Sequence, residues 1–388
     1  MAQSAVNSGV SPKEAVRGRG GSFDLPFFII VIVLMTIGLV MMFSASYAWG
    51  YYENDDSFVY IRKQLLFAGV GIVGMLIASC VDYHFYRKKW IVFGLFLSAL
   101  GLLGIVAVQA LGSDKAVRWI YIGSFQFQPS ELMKFAIVLL FAYIISVNYD
   151  KMNKFSYGIV PFALVLGVVA GLMMLEPHLS GTILIGCIGI IMMFVGGTNI
   201  KHLLAIGAVG VAGLIGVVLY LMESQGIGYF QTRIDGFLNP MSDPSDGTWQ
   251  TMQSLITIGS GGLFGLGLGQ SRQKYLYLPE SQNDFVFAIV CEELGFVGAM
   301  VVILLFVLLI FRGFYIASKS TDKFGMMLVV GLTVQIGMQA LLNIAVVTNS
   351  IPNTGISLPF FSYGGTALTM QLLQMGVILN VSRQAAIE

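Results

Sequence analysis

The sequence predicts an all-α integral membrane protein of ten transmembrane helices, with a long external loop between helices seven and eight. Three observations carry this reading. The 388 residues are 56% hydrophobic and only 11% charged, with a mean hydropathy of +0.83, whereas soluble domains carry about 25% charged residues. Apolar windows of about 20 residues, the length that crosses a bilayer, recur along the whole chain. Lysine and arginine are segregated between alternate connecting segments, as the positive-inside rule requires.

Taken in order, residues 1–24 are polar, rich in Gly and Ser, and carry Lys13, Arg17 and Arg19. They read as a disordered cytoplasmic tail, because no apolar core with a small-residue cleavage site falls within them. The expected spans are 25–48, 64–81, 90–111, 131–147, 157–176, 178–197, 203–222, 284–311, 325–347 and 364–381. The membrane domain therefore runs over 25–383, and a short cytoplasmic tail covers 384–388. With the N-terminus inside, thirteen of the 21 lysines and arginines lie on the inner side, seven lie outside, and Lys134 falls within a span. Both termini are thus expected in the cytoplasm and the chain in the cytoplasmic membrane, in contact with its lipids. Acidic residues crowd the other side, among them Glu53, Asp114, Glu131, Glu176 and Asp284. A net charge of +1 and the lack of a basic tract exclude a nucleic-acid partner. Cys80, Cys187 and Cys291 lie in apolar segments and read as packing residues, with neither disulfide nor metal spacing.

The loops are furnished for more than connection. The external loop over 223–283 is long for a plain linker. Tyr229, Phe230, Ile234 and Phe237 recur at helical spacing, as in an interfacial helix, until Pro240 and Pro244 break it. A second short helix starts at Trp249. The run Gly259 to Gly269 allows either simple loop flexibility or close backbone approach to a ligand. It is no dinucleotide fingerprint, because no strand precedes it. Pro279-Glu280-Ser281-Gln282-Asn283-Asp284-Phe285-Val286-Phe287 then ends the loop and opens an apolar helix. Asp284 is a lone carboxylate at the lip of the bilayer, where an ionisable group is costly and marks a functional candidate. Its ordinary alternative is to cap the helix.

Two further segments matter. Pro129 and Ser130 fit a helix start with Ser130 as N-cap, which places Glu131 and Lys134 one turn apart on one face. In water this would be a dipole-stabilised ion pair. Within a membrane the lysine needs a cavity, a partner or an anionic ligand. The segment 348–365, interrupted by Pro352 and Pro359, reads as a re-entrant or cavity-lining turn. Glu292 and Glu293 lie roughly 12–13 Å beyond Asp284 along the same helix, too deep to touch a substrate held at its mouth.

Five motifs in order carry a family resemblance: Arg118-Trp119; Gln128-Pro129-Ser130-Glu131 with Lys134; Asn283 to Ala288; Glu292-Glu293-Leu294-Gly295; and Pro352-x-Thr354-Gly355 followed by Leu358 to Gly365. Over about Pro26 to Arg383 the chain resembles the SEDS family of shape, elongation, division and sporulation proteins. It is most similar to the FtsW-like division branch, with the RodA and SpoVE branches as alternatives. The resemblance implies polymerisation of lipid II into glycan strands on the outer membrane face, at the division septum. It also implies a class B penicillin-binding protein as transpeptidase partner, alongside other division or elongation proteins. The family's essential carboxylate falls on Asp284, and its conserved Glu and Lys fall on Glu131 and Lys134. Arg118 and Ser362 join these two as expected substrate-binding residues. His178 replaces a common Asp and Leu266 a common Lys, so no role passes to either.

The implied reaction joins the C4 hydroxyl of an acceptor sugar to the anomeric carbon of a donor, with inversion and loss of undecaprenyl diphosphate. It needs one base and one stabilised leaving group. Asp284 is the expected base. Arg118, Lys134 and a divalent cation (Mg2+ or Mn2+) are the candidates for the diphosphate charge, with Glu131 orienting Lys134 or holding that cation. The competing class is a lipid II flippase or transporter, which shares many spans, intramembrane charges and broken backbone. A carrier, however, needs a site at the midplane, and here the chemical groups gather at one face.

Overall fold

A computed structural model describes residues 23–111, 118–122, 125–176, 179–224, 236–241 and 248–385. The N-terminal tail over 1–22, the amphipathic segment over 229–235, Pro244, His178 and the last residues 386–388 lie outside the described residues.

The first helix, α1 (Leu25–Asn54), begins where Asp24 accepts a hydrogen bond from Phe27 N and Pro26 occupies the first turn. It ends at Asp55, which takes the left-handed conformation with φ 53°. Helices α2 (Val59–Cys80) and α3 (Lys89–Leu111) follow, then strands β1 (Ile120–Ile122) and β2 (Phe125–Phe127), then α4 (Pro129–Asn148), α5 (Val160–Leu175), α6 (Leu179–Val195) and α7 (Ile200–Ser224). Helix α8 (Trp249–Ser260) precedes α9 (Val286–Ser318), α10 (Lys323–Val347) and α11 (Gly365–Gln384). Among the described residues, seven helical segments are long and apolar enough to cross a membrane: α1, α2, α3, α4, α5 together with the helical turn before it (Phe155–Leu175), α9 and α10. The chain is a multi-pass membrane protein. Helix α6 is apolar but shorter. Helix α11 is less apolar because Gln371, Gln374 and Asn380 are buried against neighbouring helices rather than turned to lipid.

Helices α4 and α10 form the buried centre. Helix α10 packs on α4, α6 and α9, while α11 lies along α2 and α9 against α1. This arrangement brings the ends of α2, α4, α10 and α11 together at one end of the bundle.

The all-helical expectation fails at one place among the described residues. β1 and β2 form an antiparallel pair with Ile120 opposite Phe127, Tyr121 opposite Gln126 and Ile122 opposite Phe125. The β-branched and aromatic run Ile120-Tyr121-Ile122, then Phe125-Gln126-Phe127, has the alternation a strand favours. The helix start expected at Ser130 also moves. Gln128 is the N-cap, in extended conformation with no side-chain capping bond, and Pro129 is the first helical residue. Proline's fixed φ suits that position and forces the preceding residue to be extended.

The glycine-rich run has a structural task. Helix α9 is unwound at Gly295, with φ 69° and ψ −172°. The segment around Gly265 supplies backbone partners there: Leu266 N donates to Glu292 O at 2.9 Å, Gly267 N to Glu293 O at 3.0 Å, and Phe296 N to Gly262 O at 2.9 Å. A Cβ at Gly265 would overlap the Glu293 carbonyl, and one at Gly295 would overlap the Gly265 amide. Non-helical backbone at membrane depth persists only where protein satisfies it, and these two glycines permit the close approach.

The side chains complete this latch. Glu293 Oε1 accepts from Ser44 Oγ at 2.6 Å, Lys274 Nζ at 3.1 Å and Ser271 N at 3.2 Å, while its Oε2 accepts from Gly269 N at 2.9 Å. Glu292 accepts from Ser260 Oγ and Arg272 N, each at 3.2 Å, and from Ser271 Oγ. Lys274 is 3% exposed. The reason is electrostatic: a glutamate this deep is tolerated only with a cation and hydrogen-bond donors around it.

Candidate functional site

A cavity of about 520 Å³ opens at the end of the bundle where α2, α4, α10 and α11 meet. Asp284, Arg118, Glu131, Lys134 and Ser362 all line it. These residues come from four separated stretches of the chain, and no local pattern places them together.

Helix α4 carries the inner wall. Glu131 and Lys134, 5% and 4% exposed, form an ion pair of 2.8 Å across one helical turn. Lys134 Nζ also donates to Gln339 Oε1 at 3.0 Å. Glu131 Oε2 and the neighbouring Ser130 Oγ have no hydrogen-bond partner among the described residues. Arg118 is half-buried and lines the same wall beside Trp119.

Asp284 is half-buried and stands one residue before the cap position of α9. That position belongs to Phe285, which makes no side-chain capping bond. The chain around Asp284 is pinned from two directions. Asn343 Nδ2, on α10, donates to Asp284 O at 2.7 Å and to Ile356 O at 2.6 Å. Ser362 Oγ donates to Asn283 O at 2.6 Å and accepts from Leu358 N at 2.7 Å. Thus Ser362 lines the cavity with its hydroxyl already engaged in holding the Asn283–Asp284 backbone. Gly355, with φ 69°, lies against the carboxylate: a Cβ there would come within 3.1 Å of Asp284 Oδ2.

Helix α10 supplies two residues that the sequence reading did not single out. Gln339 joins Lys134 to Ser357, donating to Ser357 O and to Ser357 Oγ at 3.1 Å each. Asn343 joins Asp284 to the same strap. Both are at most 1% exposed. The signal was present: Gln335, Gln339 and Asn343 repeat every four residues on one face of an apolar helix, and polar groups in a membrane helix face the protein interior. Glu292 and Glu293 belong to the latch described above and do not line the cavity.

Replacing Asn343 with Leu is expected to leave the Asp284 and Ile356 carbonyls without that donor. Losing a partner to a buried polar group costs about 1–3 kcal/mol. The variant should unfold at lower temperature than wild type, measured by thermal denaturation in detergent, and lose activity more than substrate affinity. Full activity would show that the Asp284 backbone needs no such clamp.

Among the described residues no group of three or more His, Cys, Asp or Glu side chains converges as a metal site would. Asp284 and Glu131 are carboxylates that share the cavity, and Glu131 Oε2 has no hydrogen-bond partner among the described residues.

The family described as cell cycle protein (FtsW/RodA/SpoVE) matches residues 24–387. The Stage V sporulation protein E of Bacillus subtilis is 44% identical over 367 residues, 93% of this chain and 97% of the relative. A probable peptidoglycan glycosyltransferase FtsW from Geobacter sp. is 38% identical over 366 residues, 94% of this chain and 98% of the relative. Among solved structures, one of a peptidoglycan synthase complex, concerned with structural coordination of polymerization and crosslinking, contains a similar chain. It superposes with a TM-score of 0.75 at 26% identity, covering 94% of this chain and 99% of that one. The Thermus thermophilus rod shape determining protein RodA superposes with a TM-score of 0.67 at 25% identity, covering 94% and 98%.

Proposed function

The chain belongs to the FtsW/RodA/SpoVE family of cell cycle proteins, and from that premise we propose that it is a peptidoglycan glycosyltransferase. It polymerises lipid II into glycan strands at the outer face of the cytoplasmic membrane. The observation that carries the reading is the convergence of Asp284, Arg118, Glu131, Lys134 and Ser362 on one cavity. In this reading the chain crosses the membrane ten times, both termini are cytoplasmic, and the cavity end faces outward.

Asp284 takes the proton from the acceptor C4 hydroxyl as that oxygen attacks the anomeric carbon of the donor. The bond from that carbon to the diphosphate breaks in the same displacement, and the configuration inverts. The carboxylate stands one residue before the cap position of α9, at the wall of the cavity. Asn343 and Ser362 fix the backbone that carries the carboxylate. A positioned base contributes about 10²–10⁴-fold to a rate. Arg118 and Lys134 neutralise the developing diphosphate charge, and Glu131 holds Lys134 in place.

A divalent cation, Mg2+ or Mn2+, fits only with the substrate's help. Such ions accept one or two carboxylates together with phosphate oxygens, and Glu131 Oε2 is the oxygen that would serve. When bound, the ion would add positive charge beside the leaving diphosphate.

The product strand must be crosslinked, so the proposed partner is a class B penicillin-binding protein, with other division or elongation proteins and the membrane lipids around it. The similarity to a chain of a peptidoglycan synthase complex supports this. We assign the chain to cell division at the septum, the role that its resemblance to the FtsW branch implies; relatives named FtsW support that branch. Sporulation is the second reading, favoured by the 44% identity to the Bacillus subtilis sporulation protein.

Purified protein, supplied with lipid II and a partner transpeptidase, should yield glycan strands resolved by gel electrophoresis. Chelation by EDTA reports whether the divalent ion is required. Transfer of lipid II between leaflets without strands would overturn the enzyme in favour of a flippase. Depletion in the source bacterium should block septation; a block confined to spore formation would reassign the branch.

A further inference from the structure

We propose that the N-terminus of α11, with Thr366 and Lys63, is a diphosphate subsite of the cavity, taking the diphosphate of a lipid-linked sugar. The proposal rests on the polymerase reading above and deepens it.

Helix α11 is 20 residues long and begins at Gly365, with Gly364 in the cap position and no side-chain capping bond. The first amides of a helix lack intrahelical acceptors and sit at the positive end of its dipole. Phosphate groups bind at such ends. Gly364, Gly365, Thr366 and Ala367 all line the cavity. An independent observation points to a ligand there. Thr366 is only 6% exposed, and its Oγ1 has no hydrogen-bond partner among the described residues. A buried hydroxyl normally finds a partner, and an anion resting on the helix end would supply one.

A cation also stands at this wall, in a cavity that Glu131, Glu280 and Asp284 line as well. Lys134 is held by Glu131 at 2.8 Å on the α4 wall. Lys63, near the start of α2, lines the cavity and is exposed. Among the described residues it makes no ion pair. The next residue, Gln64, fixes α2 against the entrance of α11: its Nε2 donates to Ser362 O at 3.3 Å, and its Oε1 accepts from Gly364 N at 3.2 Å. Lys63 is thereby held at the wall to which the α11 amides belong.

The chemistry calls for a second anionic subsite. Joining two lipid-linked sugars brings two diphosphates to the cavity: the donor's, which leaves, and the acceptor's, which stays. Arg118 and Lys134 serve one, and the α11 end with Lys63 serves the other. Both are needed because two diphosphates at one cation pair would repel each other.

The test uses the full chain in lipid nanodiscs, with undecaprenyl diphosphate and inorganic pyrophosphate as separate probes. Binding is read by calorimetric titration. Undecaprenyl diphosphate should bind wild type, and binding should weaken about tenfold or more in Thr366→Val and in Lys63→Gln, the loss expected for a charge-assisted hydrogen bond. Lys63→Arg should restore it, and Asp284→Asn should leave it unchanged. Inorganic pyrophosphate should bind more weakly than the lipid form. Thermal denaturation of the Lys63 variants should match wild type, since the side chain has no ion-pair partner to lose among the described residues. Unchanged affinity in Thr366→Val and Lys63→Gln overturns the subsite, as does no binding to wild type. Equal affinity for inorganic pyrophosphate also overturns the lipid-linked assignment. Strand synthesis from lipid II is scored in parallel: strands from wild type with unaltered binding in the variants remove the subsite alone. No strands from wild type removes the polymerase reading itself.

Discussion

Asp284→Asn should abolish strand synthesis while the protein remains folded. The expected loss is about 10²–10⁴-fold or more, the contribution of a positioned base, because the amide has no lone pair basic enough to take the hydroxyl proton. Folding should survive for a structural reason. The cap position of α9 is Phe285, and no side-chain capping bond is lost there. The Asp284 carbonyl, which Asn343 holds at 2.7 Å, is untouched by the exchange. Side-chain volume is conserved as well. The measurement is strand yield from lipid II, with thermal denaturation alongside. Asp284→Glu is expected to recover little, because Gly355 closes on the carboxylate, with room for a Cβ only 3.1 Å from Oδ2. An Asn variant that polymerises near the wild-type rate would place the base elsewhere.

The largest effect on stability is expected at the latch between Lys274 and Glu293. Their side chains are 4% and 0% exposed and meet at 3.1 Å. Removing one partner of a buried pair leaves an uncompensated charge, at a cost of about 3–5 kcal/mol. Lys274→Met alone should therefore lower the unfolding temperature sharply. The double variant Lys274→Met, Glu293→Gln should recover much of the loss, since both charges are gone and the amide oxygen still accepts from Ser44 Oγ and Ser271 N, with only the bond from Gly269 N left without its acceptor. Activity should fall with the single variant too. The chain from Lys274 leads directly into the segment that carries Asp284, and the latch sets where it starts. If the single variant melts with wild type, the network is not a stabilising element.

How far the sequence could be read depended on the range of the physics involved. Span positions follow from a local property, the run of apolar side chains, and the helices α1, α2, α3, α4, α5, α9 and α10 fall on seven of the windows. The Glu131–Lys134 pair was legible for the same reason, since helical spacing brings the two together without help from elsewhere. The hairpin from Ile120 to Phe127 departs from the all-helical expectation, although its alternation is written in the residues. The glycine-rich run is different in kind. Nothing within it says that its backbone docks on the unwound point of α9 at Gly295, because that contact lies about thirty residues away and depends on both backbones giving up regular hydrogen bonding. Lys274 is of the same kind: a lysine in a loop reads as solvated unless its glutamate is known to be beside it.

Asn343 and Thr366 mark the boundary between the two kinds of knowledge. As letters they are a polar residue in an apolar helix and one more residue after a glycine pair. Composition and periodicity alone decided that this chain lives in a bilayer, where its helices lie and which ionisable groups are too costly to be idle, because each of those is set by the free energy of single side chains in a hydrocarbon solvent. Only the tertiary structure decided that Asp284, Arg118, Glu131, Lys134 and Ser362 share one cavity, and that Gln339 and Asn343 brace it from α10. Helix packing sets those meetings, and packing is a property of pairs of helices, which no single stretch of sequence contains.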